Sequence, residues 1–253
     1  MLLLKRVFRT LRRDGVLALA RLSIQYIIHV LYLPYGYFRI RNLERDSNPD
    51  TLIDYAYTGF HGLIRPLQSR SEIHRLLEIL AKMKPGCIVE IGTARGGTLF
   101  LFSRIAAEDA TLVSIDYPGG WFGGGYPVWK IPFFKSFALD KQKIYPVLAD
   151  SHQDATLEKV NSIINPGQID FLFIDGDHSY EGVKKDFEMY SPLVRKNGII
   201  AFHDIALCSS KIVCEVNRYW DEIKTGYEYE EIIEEYNHQW LGMGLIKVRG
   251  TPQ

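Results

Sequence analysis

The ten residues 88–97, Ile-Val-Glu-Ile-Gly-Thr-Ala-Arg-Gly-Gly, constrain the fold of this chain more than any other stretch. A β-branched run reaches Gly92, a glycine pair follows at 96 and 97, and the apolar residues 98–105 suit a helix. Because glycine has no Cβ, a loop of this kind lets backbone N–H groups come close to a ligand at a helix N-terminus. The pattern predicts a strand, a glycine loop and a helix that together form a binding site.

A second predicted strand, residues 112–115, ends in Asp116. A carboxylate at that position can accept hydrogen bonds from the two hydroxyls of a ribose. Together with the glycine loop, Asp116 predicts a cofactor of the adenosine type.

Strand and helix patterns alternate through the rest of the chain, which predicts a parallel, doubly wound α/β sheet. The candidate strands are residues 87–91, 112–115, 144–148, 169–174, 198–203 and 243–248, and the candidate helices are residues 97–107, 154–164, 179–195 and 209–223. Ligands of such sheets bind beyond the carboxyl ends of the strands. The functional residues are therefore expected directly after strands.

Residues 1–68 are predicted to be a basic, apolar, helical extension with a linker, and residues 69–253 to be the main domain. Residues 1–46 hold nine basic and three acidic residues, and the apolar, aromatic run 22–38 is interrupted by polar residues and Pro34. This run is too short to span a bilayer. It suits a cap on the main domain, a dimer arm or a membrane surface. Residues 51–68 are predicted to be irregular, and Ser69 and Glu72 form a capping box that begins a helix.

The bulk composition excludes some partners. Lys+Arg and Asp+Glu both number 30, so the overall charge predicts no nucleic-acid partner. Three cysteines without a CxxC pair suggest a reducing compartment. We therefore expect a cytoplasmic protein, free or peripheral at the inner face of the membrane. A homo-oligomer is also compatible with the sequence.

Acids and histidines follow two of the predicted strands. Asp175, Asp177 and His178 come after the apolar strand 169–174, and His203 and Asp204 end the next one. Neighbouring parallel strands bring their exits together, so these side chains predict a site for a divalent cation. Asp177 also suits a turn or cap.

The motifs EIGTARGGT, SID, LADS, FLFIDGDHSYEGVKKD and GIIAFHD resemble class I S-adenosylmethionine-dependent methyltransferases over about residues 69–250. Within them the chain is similar to the metal-dependent O-methyltransferases of sugars and macrolide glycosides, a branch that includes cephalosporin-hydroxylase-like proteins. The resemblance implies a Rossmann-like, mostly parallel seven-stranded sheet with helices on both faces. It also implies methyl transfer from S-adenosyl-L-methionine to a hydroxyl of a sugar, glycolipid or glycosylated metabolite.

The resemblance also implies a role for each matching residue. His178 would be the general base, and Asp175, His203 and Asp204 would hold Mg or Mn. The cofactor would contact Glu90, Gly92, Thr93, Gly96, Asp116, Asp150 and Ser151. Close metal-dependent relatives often have an acid in place of His203. An imidazole shifts preference from Mg towards Mn, Fe or Zn, and it leaves open a metal-free site in which His178 or His203 acts alone.

The insertion 117–137 is rich in glycine and aromatic residues. Its length predicts either a lid that offers Trp121, Phe122, Tyr126 and Trp129 for stacking, or a rigid loop at the sheet edge.

Two rival functions stay open at this point. Asp175-Gly-Asp177 resembles the DxD signature of metal-dependent glycosyltransferases, and a non-catalytic scaffold could use the same fold. A nicotinamide dehydrogenase is disfavoured because the glycines lack the G-x-G-x-x-G spacing.

Overall fold

A seven-stranded sheet organises the chain in a computed structural model, which describes residues 2–43, 48–118, 125–164, 168–206, 214–233 and 242–249. The strands are β1 (Cys87–Ile91), β2 (Thr111–Asp116), β3 (Lys143–Leu148), β4 (Ile169–Ile174), β5 (Val194–His203), β6 (Glu228–Ile232) and β7 (Met243–Lys247). Their order across the sheet is β3-β2-β1-β4-β5-β7-β6. Strands β1 to β5 are parallel to one another, and β7 runs antiparallel to both β5 and β6. The predicted doubly wound, mostly parallel fold is confirmed.

The chain changes direction across the sheet between β1 and β4. From β1 it builds outward to β2 and β3, and it then crosses back to place β4 on the other side of β1. Ligands of open α/β sheets bind at such a switch point, outside the carboxyl ends of the strands. The glycine loop after β1 and the acids after β4 therefore share this edge.

Helices cover both faces of the sheet. They are α1 (Leu2–Arg41), α2 (Pro49–Thr58), α3 (Arg70–Met83), α4 (Gly97–Ile105), α5 (Ile131–Lys135), α6 (Asp154–Ile163), α7 (Tyr180–Tyr190) and α8 (Val216–Ile223). Side chains alternate between the faces along each strand. Ile88 of β1, for example, packs into the core with α2 to α5, while the adjacent Val89 packs into the core with α6 to α8.

Strand β6 was not predicted, because four of its five residues are exposed and its sequence, EYEEI, is polar. It lies at the edge of the sheet, where one face and one side are solvated. A hydrophobic pattern cannot identify such a strand.

The prediction that residues 51–68 are irregular was wrong. Asn48 caps α2 by accepting a hydrogen bond from the backbone N of Asp50, and Pro49 is the first helical residue. Asn-Pro-Asp is thus a helix start, where proline's fixed φ is favourable. A 3-10 helix, Gly59–Gly62, follows.

Two predicted helices differ from the structure by more than two residues at one end. The helix predicted over 179–195 ends at Tyr190, and a 3-10 helix, Ser191–Leu193, leads directly into β5. The start predicted at 209 lies outside the described residues, and α8 begins at Val216.

Helix α1 is interrupted at Gly15, which has a φ of 82°. Its last turns lie against the main core: Ile40 is buried, and Gly36 lies against Leu63 and Phe133. In the described part of the chain, no helix combines the length and the apolar character that a membrane crossing needs. Residues 52–64 share a core with α3 and α4, and the domain boundary between 68 and 69 stays a prediction.

The second half of the insertion 117–137 is ordered secondary structure. A 3-10 helix, Val128–Lys130, precedes α5, and Tyr126, Phe133, Phe134 and Phe137 are buried. Tyr126 therefore packs in the core and offers no free stacking surface. Trp121 and Phe122 lie outside the described residues.

Candidate active site

The glycine loop after β1 is pressed against the exit of β4. Gly92 has a φ of 93°, and a Cβ built on it would lie 1.9 Å from the backbone O of Asp175. Its N–H donates to the carbonyl of Ile115 at 2.8 Å. Only glycine fits this position without moving the backbone. The loop thus connects the ends of β1, β2 and β4 at the switch point.

Glu90 lies beneath this loop and is fully buried. Its Oε1 accepts a hydrogen bond from the Thr98 hydroxyl, while Oε2 is buried and has no partner among the described residues. Burial raises the pKa of Glu90 to about 8. A buried acceptor without a partner is costly, so Oε2 fits a ligand that brings a donor, such as the ammonium group of a methionine moiety.

Asp116 ends β2 and closes the loop from the other side. Its Oδ2 accepts from the backbone N of Thr93 at 3.2 Å and of Ala94 at 2.7 Å, and its Oδ1 accepts from Gly125 at 2.6 Å. Burial raises its pKa. A carboxylate can accept about four hydrogen bonds, and three are used here to fix the loop. Asp116 could therefore accept from one ribose hydroxyl without releasing a loop N–H.

Asp150 follows β3 on the same edge, and its side chain is about one-third exposed. It accepts hydrogen bonds from the backbone N of His152 and the side chain of Gln153. The Ser151 carbonyl accepts from the Tyr190 hydroxyl at 2.9 Å, which fixes this turn against α7. The other predicted cofactor residue, Gly96, has a φ of 87° and is the N-cap that precedes α4.

The exits of β4 and β5 bring two carboxylates and two imidazoles together, as predicted. Nδ1 of His203 lies 3.2 Å from an oxygen of Asp175 and 3.2 Å from an oxygen of Asp204. Nδ1 of His178 lies 2.7 Å from the other oxygen of Asp204. Asp204 has a φ of 62°, a conformation that is uncommon outside glycine and often found at functional sites.

These donors suit a divalent cation. One ligand atom from each of Asp175, His203 and Asp204 lies within 4.8 Å of the others, and the same holds for His178, Asp204 and Cys214. Carboxylate and imidazole donors suit Mn, Fe or Zn better than Mg. Cys214 was not predicted as a site residue, because it lies ten residues after Asp204 and belongs to no motif.

The histidines share the field of the carboxylates. Burial alone would lower the pKa of His178, but its hydrogen bond to Asp204 and nearby charges raise it to about 10. Burial would also lower the pKa of His203, but the charges of Asp175 and Asp204 raise this pKa well above the usual value. Without added positive charge, the carboxylates therefore favour the protonated form of both imidazoles.

Gln68, which lies just before α3, and Glu72, in the first turn of α3, complete the site and were not predicted as part of it. Gln68 donates from Nε2 to Asp175 Oδ2 at 2.6 Å. Glu72 is 1% exposed, and its Oε2 lies 3.7 Å from His203 Nε2. Glu72 was predicted only as a helix-capping residue. A carboxylate behind an imidazole orients the ring, so Glu72 is placed to hold His203.

Asp177 does not join this cluster. Its Oδ1 accepts from the backbone N and hydroxyl of Ser179 at 2.9 and 2.7 Å, next to the N-cap of α7. The turn role considered for Asp177 is the one that the structure shows. The DxD interpretation requires both Asp175 and Asp177 at the metal site, so the position of Asp177 argues against it.

Comparisons with known proteins agree with this geometry. Residues 89–205 match a family model described as a methyltransferase domain. Protein R132 of Acanthamoeba polyphaga mimivirus is 31% identical over 150 residues, which cover 57% of this chain. The chain spans only 65% of that relative's length.

Solved structures show the same fold at low identity. The O-methyltransferase TomG from Streptomyces achromogenes, in complex with SAM, is 17% identical with a TM-score of 0.51, covering 85% of this chain and 95% of TomG. An O-methyltransferase from Bacillus cereus, in complex with SAH, is 15% identical with a TM-score of 0.53, covering 87% of this chain and 100% of that protein. Residues 89–205 thus match a methyltransferase domain, and the chain shares the fold of these two O-methyltransferases.

Proposed function

We propose that this protein transfers a methyl group from S-adenosyl-L-methionine to a hydroxyl of a sugar, glycolipid or glycosylated metabolite. We further propose that His178 is the base and that a divalent cation assists. One observation carries the proposal: the glycine loop contacts the backbone of Asp175, the residue that begins the cluster of acids and imidazoles. A methyl donor held by the loop would therefore lie beside groups that can activate a hydroxyl.

The chain's own residues would hold the donor in place. Glu90 Oε2 would accept from the ammonium group and Asp116 from the ribose. Asp150 and Ser151, which follow β3, would face the adenine. S-adenosylmethionine supplies an electrophilic methyl group. The protein then has to align the acceptor oxygen with that carbon, and such alignment accounts for much of the rate of a displacement.

In this proposal, His178 accepts the proton of the acceptor hydroxyl. Its Nδ1 contacts Asp204, which fixes the ring, while Nε2 lies 3.9 Å from Asp175 and faces the cluster. A base of this kind contributes about 10²–10⁴-fold. A divalent cation held by Asp175, His203 and Asp204 would supply the positive charge that lowers the pKa of His178 and of a bound hydroxyl.

Mass spectrometry of methyl transfer tests the proposal. The protein is incubated with deuterated-methyl S-adenosylmethionine and a panel of glycosides, glycolipids and phenols, with EDTA or with added Mn. We expect labelled product on a carbohydrate hydroxyl, a loss of at least about a hundredfold in His178→Gln, and a loss in EDTA that Mn restores. Asp177→Asn is the matched control and should retain methyl transfer, because its oxygen serves a turn.

The outcomes separate the parts of the proposal. Labelled phenols with unlabelled sugars would contradict the acceptor class, and full activity in His178→Gln would contradict the base. Transfer of sugar from a UDP-sugar would favour the glycosyltransferase alternative. The cytoplasmic location stays a prediction.

A further inference from the structure

In its last turns, helix α1 presents one face to the domain and the opposite face to solvent. One face packs on the domain through Leu33, Gly36, Tyr37 and Ile40, of which Ile40 is 1% exposed. These positions are three or four residues apart and therefore lie on one side of the helix. The opposite side is directed away from the domain.

Apolar residues occupy that opposite side at alternating spacings of three and four residues. We call this set the outer stripe: Leu17, Ala20, Ile24, Ile27, Leu31, Pro34 and Phe38. The exposed fractions are 69% for Leu17, 58% for Ile24, 56% for Ile27, 71% for Leu31 and 64% for Phe38. Scattered exposed apolar residues are normal on a soluble protein, but a contiguous stripe marks an interaction surface.

The charge of the helix indicates what the stripe contacts. Residues 1–41 contain eight basic residues and one acid, Asp14, and residues 22–38 contain no charged residue. A helix with basic residues and an apolar aromatic face binds at the interface of an anionic bilayer. Each basic residue near such a surface contributes about 1 kcal/mol.

A second copy of α1 fits this surface less well. When the outer stripe is treated as the seam of a coiled coil, the flanking positions hold Arg21, Ser23, Ile28, Val30, Tyr35 and Tyr37. One charged residue among six cannot form the interhelical ion pairs that set register and partner. Two copies would also bring two strongly basic segments together, whereas anionic lipid neutralises them.

We infer that the outer stripe of α1 docks this protein on an anionic membrane surface. The helix lies along the surface, with the stripe in the headgroup region and the domain held on the other side by Leu33, Gly36 and Ile40. Since no described helix can cross a bilayer, the contact is peripheral. Tyr35, 52% exposed beside the stripe, suits the interface, where tyrosine is enriched.

Vesicle flotation of the full-length protein tests this inference. We expect flotation with vesicles of phosphatidylcholine and phosphatidylglycerol, little with phosphatidylcholine alone, and release at high salt. Ile24→Glu with Leu31→Glu should lower the partition coefficient at least about tenfold, because each change removes an apolar side chain from the interface. Leu67→Glu is the matched control: Leu67 is 66% exposed outside α1, so the same charge there should change partitioning less than about twofold.

Three results would overturn the inference. The first is wild-type protein that floats with neither kind of vesicle. The second is a loss of partitioning in Leu67→Glu that equals the loss in the Ile24→Glu, Leu31→Glu variant. A dimer in light scattering that Leu31→Glu converts to a monomer, together with no flotation, would assign the stripe to a second copy. Cofactor binding by the domain is measured separately and does not depend on this outcome.

Discussion

Glu72 connects three parts of the molecule, so its removal is a sharp test of how the site is built. The side chain accepts from Ser69 N at 3.1 Å in the capping box and from Gly242 N at 2.5 Å, and it faces His203 Nε2 at 3.7 Å. Burial would raise its pKa, but the neighbouring His203 and the backbone N–H groups of Gly242 and Ser69 outweigh burial and lower the pKa. Glu72 is therefore an ionised carboxylate in a buried position.

The cost of Glu72→Ala follows from these contacts. Losing the reciprocal cap costs about 1 kcal/mol. Leaving the backbone N–H of Gly242 buried without an acceptor costs about 1–3 kcal/mol. Removing the carboxylate beside the buried His203 adds roughly 1 kcal/mol or more. We therefore expect Glu72→Ala to lower the free energy of unfolding by about 3–5 kcal/mol, a large share of a typical total.

Urea unfolding followed by circular dichroism measures this change. The control is Glu78→Ala on the same helix, whose carboxylate is 41% exposed and pairs with Arg75. Exposed pairs contribute little, so the control should change stability by less than about 0.5 kcal/mol. A loss below about 1 kcal/mol in Glu72→Ala, or equal losses in both variants, would refute the assigned role.

Two further predictions follow from the same edge of the sheet. Gly92→Ala should lower stability by about 3 kcal/mol or more through the clash with Asp175 and the left-handed φ, measured by urea unfolding. Gly226→Ala, where a Cβ meets nothing within 4 Å, should stay within about 0.5 kcal/mol, and equal effects would refute the clash argument. His152 lies 3.2 Å from buried Asp186, and its interaction with that carboxylate raises the pKa of His152. A raised imidazole pKa stabilises the fold fully below the unfolded value of about 6.5 and loses this contribution as pH rises through the folded value. The melting temperature of His152→Gln should thus fall further below wild type at pH 6 than at pH 9, and a constant difference would contradict the pairing.

Local patterns predicted the parts of the site that lie next to each other along the chain. Gly92 is required where the loop meets β4. A strand pattern followed by glycine can be recognised within ten residues of sequence. The meeting of Asp175 with Asp204 was predictable because β4 and β5 are parallel neighbours and their exits share one edge. Their confirmed proximity supports the use of topology for such predictions.

Tertiary contacts decided the parts that the sequence did not reveal. Gln68 precedes its partner Asp175 by 107 residues, and no spacing rule connects α3 to the end of β4. Glu72 was visible only as a cap, because its contact with His203 depends on how α3 packs against the sheet. The polar edge strand β6 and the start of α2 were missed for local reasons: one lacks a hydrophobic pattern, and the other resembles a turn.

Calorimetric titration with S-adenosylhomocysteine tests the central claim most directly, that the edge between β1 and β4 binds the cofactor of a methyltransferase. The account predicts saturable binding with one molecule per chain, a loss of at least about tenfold in affinity for Asp116→Ala and Glu90→Ala, and no heat with UDP-glucose or NAD. Absence of binding to folded wild-type protein, or binding that both variants retain in full, would contradict it.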